Sequence, residues 1–210
     1  MPKKRFFGLI MLLAVIGIWG VKIVQGRMPY VDQWSRTIVD ASADSFVYDV
    51  FRSMTNLGSE PFMLPFTIAM GLLLCGLYRD WLQALFFAGG TLGAHLLNMA
   101  IKVFVQRDRP SVLVAAHAEG YSFPSGHAMI TFVCYGILAY FLVKKMRVPA
   151  VAFIVKSLFF VAIVLIGISR FIINVHYLTD VLAGFGIGYI IMRGLICLYN
   201  IIHTRRLVPT

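Results

Sequence analysis

Four short groups of polar residues interrupt the apolar runs of this sequence, and their types suit one kind of chemistry. His176 and Asp180 stand four apart, so on a helix they are neighbours on one face. A carboxylate bonded to one ring nitrogen fixes the tautomer and leaves the other nitrogen as a nucleophile. Ser125, Gly126 and His127, within "EGYSFPSGHAMITF" (residues 119–132), open an apolar segment. A helix start accepts anions through its unpaired N–H groups and its positive dipole end. There Gly126 lets an oxygen approach the backbone, Ser125 adds a hydroxyl donor, and His127 turns its imidazole toward the same pocket. Lys102 and Arg109 are two helical turns apart, on one face if the helix runs on to a stop at Pro110. With Arg170, they form a set of cations that can clamp phosphoryl oxygens, the guanidinium forks binding in pairs.

Taken singly, each group has a plainer reading. Lys102 can snorkel, Arg109 can be a solvated loop charge, Ser125 can be a simple N-cap, and His176 with Asp180 can be a structural pair. A zinc site is another alternative, with His176, Asp180, His127 and either His117 or Glu119 as ligands. Lys102, Arg109 and Arg170 would repel a divalent ion, so no metal and no cofactor is expected. His95 reads as a hydrogen-bonded interior residue and His203 as incidental. Arg107 and Asp108 flank the site without an assigned role.

The elements that must bring these groups together are membrane helices. The chain has 210 residues, 60% of them hydrophobic, with a mean hydropathy of +0.83, which points to the bilayer rather than water as solvent. A span needs roughly 20 mostly apolar residues. Six segments qualify, at about 6–24, 61–78, 81–105, 128–143, 153–169 and 177–199, giving an all-α polytopic membrane protein in one unit. The first is read as a retained helix rather than a signal peptide, because no small-x-small cleavage site follows it. Segment 31–54 mixes Trp34, Ile38, Phe46, Val50 and Phe51 with spaced Asp and Arg. It is either an amphipathic helix on the outer membrane surface or a loop. Ser59, Glu60 and Pro61 mark a helix start, and Gly89 with Gly93, and Gly184 with Gly188, make small-xxx-small packing faces.

The net charge of +10 does not indicate nucleic acid, since the basic residues cluster between spans. Cys75, Cys134 and Cys197 fall inside apolar segments without a pairing pattern and read as core residues. With the N-terminus inside, Lys3, Lys4, Arg5, Arg79, Lys144, Lys145, Arg147, Arg205 and Arg206 all lie on the cytoplasmic side, as the positive-inside rule asks. That orientation puts both termini in the cytoplasm and all four polar groups at the outer surface.

Three stretches carry a resemblance. "KVFVQRDRP" (102–110), "PSGH" (124–127) and "SRFIINVHYLTD" (169–180) are similar, position for position, to the three-part signature of the type-2 phosphatidic acid phosphatase superfamily. The resemblance implies that His176 attacks phosphorus and forms a phosphohistidine, with Asp180 orienting it. It implies that His127 protonates the leaving oxygen and then activates water. Lys102, Arg109, Ser125, Gly126 and Arg170 would stabilise the phosphoryl oxygens, without a metal. The expected partners are membrane lipids and a lipid phosphate or isoprenoid diphosphate substrate. Undecaprenyl diphosphate stands slightly ahead of phosphatidylglycerophosphate, because the site faces outward from a bacterial inner membrane. The alternative is a flippase or head-group-binding protein that performs no hydrolysis.

Overall fold

The computed structural model describes residues 3–42, 45–110 and 120–207. Its elements are helices: α1 (Lys3–Val24), α2 (Tyr30–Ser42), α3 (Phe46–Thr55), α4 (Glu60–Tyr78), α5 (Leu82–Val105), α6 (Gly126–Lys144), α7 (Pro149–Ile172) and α8 (Leu178–Leu207). A 3-10 turn (Asn56–Gly58) joins α3 to α4, and a π-helical turn (Leu85–Gly89) lies inside α5. Six of these, α1 and α4 to α8, are long and apolar enough to cross a membrane, as the hydropathy pattern predicts. The last two reach further than expected, from Pro149 and to Arg206.

The centre of the bundle is α6, which packs against α5, α7 and α8. Ala128, Met129, Val133, Cys134, Ile137, Leu138 and Phe141 of α6 are buried, whereas α1, α4 and α7 turn Ile10, Leu64, Phe153 and Leu158 outward. Lipid tails solvate such outward faces, so close contact rather than apolar burial decides which helices meet. The expected small-residue face on α8 is one such contact. A Cβ added at Gly184 would lie 2.7 Å from the Ser125 carbonyl oxygen, and one at Gly188 would lie 2.8 Å from that of Met129. Gly89 and Gly93 do not act as a pair, since Gly93 faces open space on the outside of α5. The neighbouring Gly90 makes the close approach instead, against Leu195 and Ile137.

The 31–54 segment forms two helices rather than one. Asp32, Ser35 and Val39 bury one face of α2 while Tyr30, Trp34 and Ile38 remain exposed, the amphipathic pattern read from the sequence. Ser45 opens α3 as a separate helix, its hydroxyl accepting from the Tyr48 N–H at 3.3 Å. α2 rests on α7 and α8, and α3 rests on α7. Ser59 stands at the N-cap of α4 with Pro61 in the first turn, as expected, although its hydroxyl turns back to the Asn56 carbonyl at 2.7 Å.

The third span ends at residue 105 as expected, and its helix does not run on to Pro110. α5 stops at Val105, where Gln106 takes a left-handed conformation (φ 50°) and its N–H bonds to the Lys102 carbonyl at 2.9 Å. This C-cap satisfies the helix end by itself, so the chain leaves the helix before Pro110. Arg107 and Arg109 therefore follow the helix on irregular chain, and Lys102 and Arg109 do not share a helix face.

Candidate active site

The site forms where α5 ends and where α6 and α8 begin. α8 starts after Tyr177, and Asp180 in its first turn accepts the Tyr177 N–H at 2.9 Å. This is the return half of a capping box, and it holds the carboxylate back over the helix start. From there Asp180 Oδ2 faces His176 Nδ1 at 3.5 Å and accepts the Ser122 hydroxyl. Its Oδ1 accepts from Arg107 Nη1 at 2.6 Å.

The other imidazole nitrogen, His176 Nε2, lies 3.2 Å from Arg109 Nη1. A guanidinium can only donate, so Nε2 is the acceptor and Nδ1 carries the proton. The free lone pair of Nε2 thus points at Arg109, the cation expected to bind phosphate. Burial pushes the His176 pKa below the ordinary histidine value and, despite the opposing Asp180 carboxylate, keeps the ring neutral. Arg109 is braced by bonds from Nε to the Gly120 carbonyl and from Nη1 to the Val175 carbonyl, both 2.9 Å.

Arg170, at the end of α7, is buried and donates from Nη1 to Thr55 Oγ1 at 2.9 Å. Its Nε is buried without a hydrogen-bond partner among the described residues, a donor that a phosphoryl oxygen would satisfy. The Arg170 carbonyl accepts the N–H groups of Val175 and His176, both at 3.1 Å, which folds the connecting loop back and returns His176 to the site. Lys102 lies in the field of Arg109, Arg170 and Asp180, and His127 in that of Arg170, His176, Lys102 and Arg109.

Ser125 caps α6, its hydroxyl accepting from the Ala128 N–H at 3.5 Å, and its own N–H bonds to the Asp180 carbonyl at 3.0 Å. Accepting that bond leaves the Ser125 O–H proton to give. Gly126 has a packing reason beside the expected one, because a Cβ there would lie 3.0 Å from Asn98 Oδ1. Asn98 also ties α5 to this loop by donating to the Pro124 carbonyl at 3.2 Å. All eight residues expected at the site, Lys102, Arg109, Ser125, Gly126, His127, Arg170, His176 and Asp180, are thus gathered at one end of the bundle. Lys102, Arg109, Gly126 and His127 are half-buried and form its accessible side. His117 and Glu119, the alternative zinc ligands, lie outside the described residues.

Sequence reasoning missed five polar residues that the structure places here: Asp32, Thr55, Asn98, Ser122 and Thr179. Arg107, noted without a role, is buried in contact with Asp32, Thr179 and Asp180. Ser122 and Thr179 lie inside or beside motif stretches. Asp32 carries no sequence signal, being far from every motif.

A histidine–carboxylate pair ringed by cations, at one end of a six-span bundle, defines a membrane enzyme of phosphoryl transfer. The chain belongs to the PAP2 superfamily, whose profile matches residues 83–203. Phosphatidylglycerophosphatase B of Bacillus subtilis is 36% identical over 149 residues, covering 68% of this chain and 70% of that one. Decaprenylphosphoryl-5-phosphoribose phosphatase of Mycolicibacterium smegmatis is 34% identical over 110 residues, covering 50% of this chain and 53% of the other. The crystal structure of a transmembrane PAP2-type phosphatidylglycerolphosphate phosphatase from Bacillus subtilis aligns with a TM-score of 0.80 at 28% identity. That alignment covers 90% of this chain and 94% of the other. The chain is accordingly a PAP2 membrane lipid phosphatase.

Proposed function

We propose that the protein removes the terminal phosphate of a lipid head group through a phosphohistidine on His176. The observation that carries this reading is the setting of His176, with Nδ1 toward Asp180 and Nε2 toward Arg109. In the first step the Nε2 lone pair forms a bond to phosphorus as the bond to the lipid oxygen breaks, and His127 gives that oxygen a proton. Asp180 steadies the positive charge that develops on the His176 ring. In the second step His127 takes a proton from water, the hydroxide forms a bond to phosphorus, and the P–N bond breaks to release inorganic phosphate. Lys102, Arg109, Arg170, the Ser125 hydroxyl and the backbone at Gly126 hold the equatorial oxygens throughout. Because three cations supply this charge, the reaction proceeds without a metal.

Phosphatidylglycerophosphate is the leading substrate. The outward orientation favours undecaprenyl diphosphate, but the Bacillus subtilis relative and the aligned Bacillus subtilis structure are both named for the glycerophosphate lipid, and this reverses the order. An isoprenoid-linked substrate remains the second reading, supported by the similarity to decaprenylphosphoryl-5-phosphoribose phosphatase. We place the site at the outer face of a bacterial inner membrane, following the distribution of Lys and Arg between spans. Phosphate release by the purified protein from each lipid in mixed micelles tests the substrate. The account expects turnover of the glycerophosphate lipid, and its absence beside rapid turnover of the diphosphate would reverse the order again.

A further inference from the structure

A chain of buried polar contacts leads away from Asp180 to a residue that no motif contains. Asp32 of α2 is fully buried. Its Oδ1 accepts the Thr179 N–H at 2.9 Å, and its Oδ2 accepts the Thr179 hydroxyl at 2.6 Å and Arg107 Nη2 at 2.7 Å. The other nitrogen, Arg107 Nη1, bonds to Thr179 Oγ1 at 2.9 Å and to Asp180 Oδ1 at 2.6 Å. The guanidinium lies over the Tyr177 ring, 3.8 Å from its centre.

Two consequences follow from this wiring. Thr179 is the second residue of α8, and its N–H is one of those a helix start leaves unpaired. Tyr177, at the N-cap position, has no short side-chain oxygen to serve it. Asp32 supplies that oxygen from a different helix. Both oxygens of Asp180 also depend on Arg107, Oδ1 through its side chain and Oδ2 through Ser122, whose N–H bonds to the Arg107 carbonyl at 2.7 Å.

A buried ion pair adds little net stability, because desolvation offsets most of the attraction. The pair is not the sole anchor of α2. Arg36 donates to Asn174 Oδ1 at 2.6 Å, and Val39 packs with Phe171, Ile172 and Val181. What the network does supply is fixed geometry at the carboxylate that orients the nucleophile. The charge of Arg107 is also engaged by two carboxylates, Asp32 and Asp180.

We propose that Asp32 is a positioning residue for phosphoryl transfer, acting through Arg107 and Thr179 to hold Asp180 against His176. The proposal rests on His176 being the nucleophile. Misplacing Asp180 by a fraction of an ångström slackens the imidazole it orients, which affects the chemical step more than substrate binding.

The test is Asp32→Asn, which keeps the shape and the acceptor for the Thr179 N–H but removes the charge. The expected result is a fall in kcat of about 10- to 100-fold with KM changed by less than about threefold. Adding Arg107→Gln should cost no more than Arg107→Gln alone, since both act on one linkage. If Asp32→Asn does not accumulate as folded protein, Thr179→Val removes the shared hydroxyl and should lower kcat in the same way. Wild-type kcat in the folded variant overturns the proposal, as does a rise in KM alone or a double variant whose losses multiply. His176→Ala separates the two readings. If it keeps turnover the proposed function fails, whereas a dead His176→Ala beside a fully active Asp32→Asn refutes only the role of Asp32.

Discussion

Gly58→Ala is the sharpest test of the proton donor, because it adds one methyl group beside His127 and touches none of the phosphate ligands. Gly58 ends the 3-10 turn that crosses the site. A Cβ there would lie 2.8 Å from His127 Cδ2, 2.6 Å from Ile166 Cγ2 and 3.2 Å from Thr131 Cγ2. Ordinary contact starts at about 3.5 Å, so the imidazole and Ile166 must each yield by roughly 0.7 to 0.9 Å. The turn is poorly placed to yield in their stead. The Leu57 carbonyl is held by the Tyr135 hydroxyl at 2.7 Å, and Thr55 by Arg170 at 2.9 Å. Overpacking of this kind costs about 1–3 kcal/mol of stability. Misplacing a catalytic group by most of an ångström costs up to about 100-fold in rate. The assay compares a lipid phosphate with an aryl phosphate whose leaving group is stable as an anion at neutral pH. Only the lipid alkoxide needs the proton from His127, so kcat should fall about 10- to 100-fold for the lipid and only a few-fold for the aryl ester. Equal losses on both substrates, or no loss on either in the folded variant, would refute the reasoning.

Two further outcomes follow from the packing and from the buried histidine. Gly184→Ala drives a methyl group to within 2.7 Å of the Ser125 carbonyl oxygen and 2.9 Å of Ala128 Cβ, so it should destabilise by about 1–3 kcal/mol and lower activity; an unchanged melting temperature contradicts this. Stability should also depend on pH through His176, whose folded pKa lies below the ordinary 6.5. The unfolded chain takes up a proton below that value and the folded protein does not. The contribution is therefore intact above pH 6.5 and is lost as pH falls below it, by up to about 1.4 kcal/mol per unit. Thermal unfolding in detergent between about pH 7 and 5 should show this slope, flattened in His176→Asn.

Much of the site was legible because its chemistry is written in short local spacings. His176 and Asp180 are one helical turn apart, and Ser125, Gly126 and His127 are consecutive. The spans were legible for a similar reason, since a run of apolar residues needs no partner to be recognised. Asp32 was not legible, because its partners are 75 and 147 residues away and no spacing rule links them. Gly58 was equally silent, as its reason is an imidazole on another helix. The end of α5 at residue 105 was legible from hydropathy, but the condition that the helix run on to Pro110 is not met, because a left-handed Gln106, a weak signal in sequence, ends it first. Gly89 and Gly93 have the right spacing but the wrong direction. Period alone does not say which side of a helix meets a neighbour.

The central claim is that phosphorus is bonded to His176 Nε2 between the two steps, and trapping the phosphorylated enzyme tests it most directly. Purified protein is mixed with lipid carrying a radiolabelled terminal phosphate, quenched in alkali within one turnover, and digested for peptide mapping. The account predicts label on the peptide containing His176, stable in alkali, lost in acid, and absent from His176→Ala. Turnover with no trapped label in either wild type or His127→Ala, or label on a serine that survives acid, would contradict it.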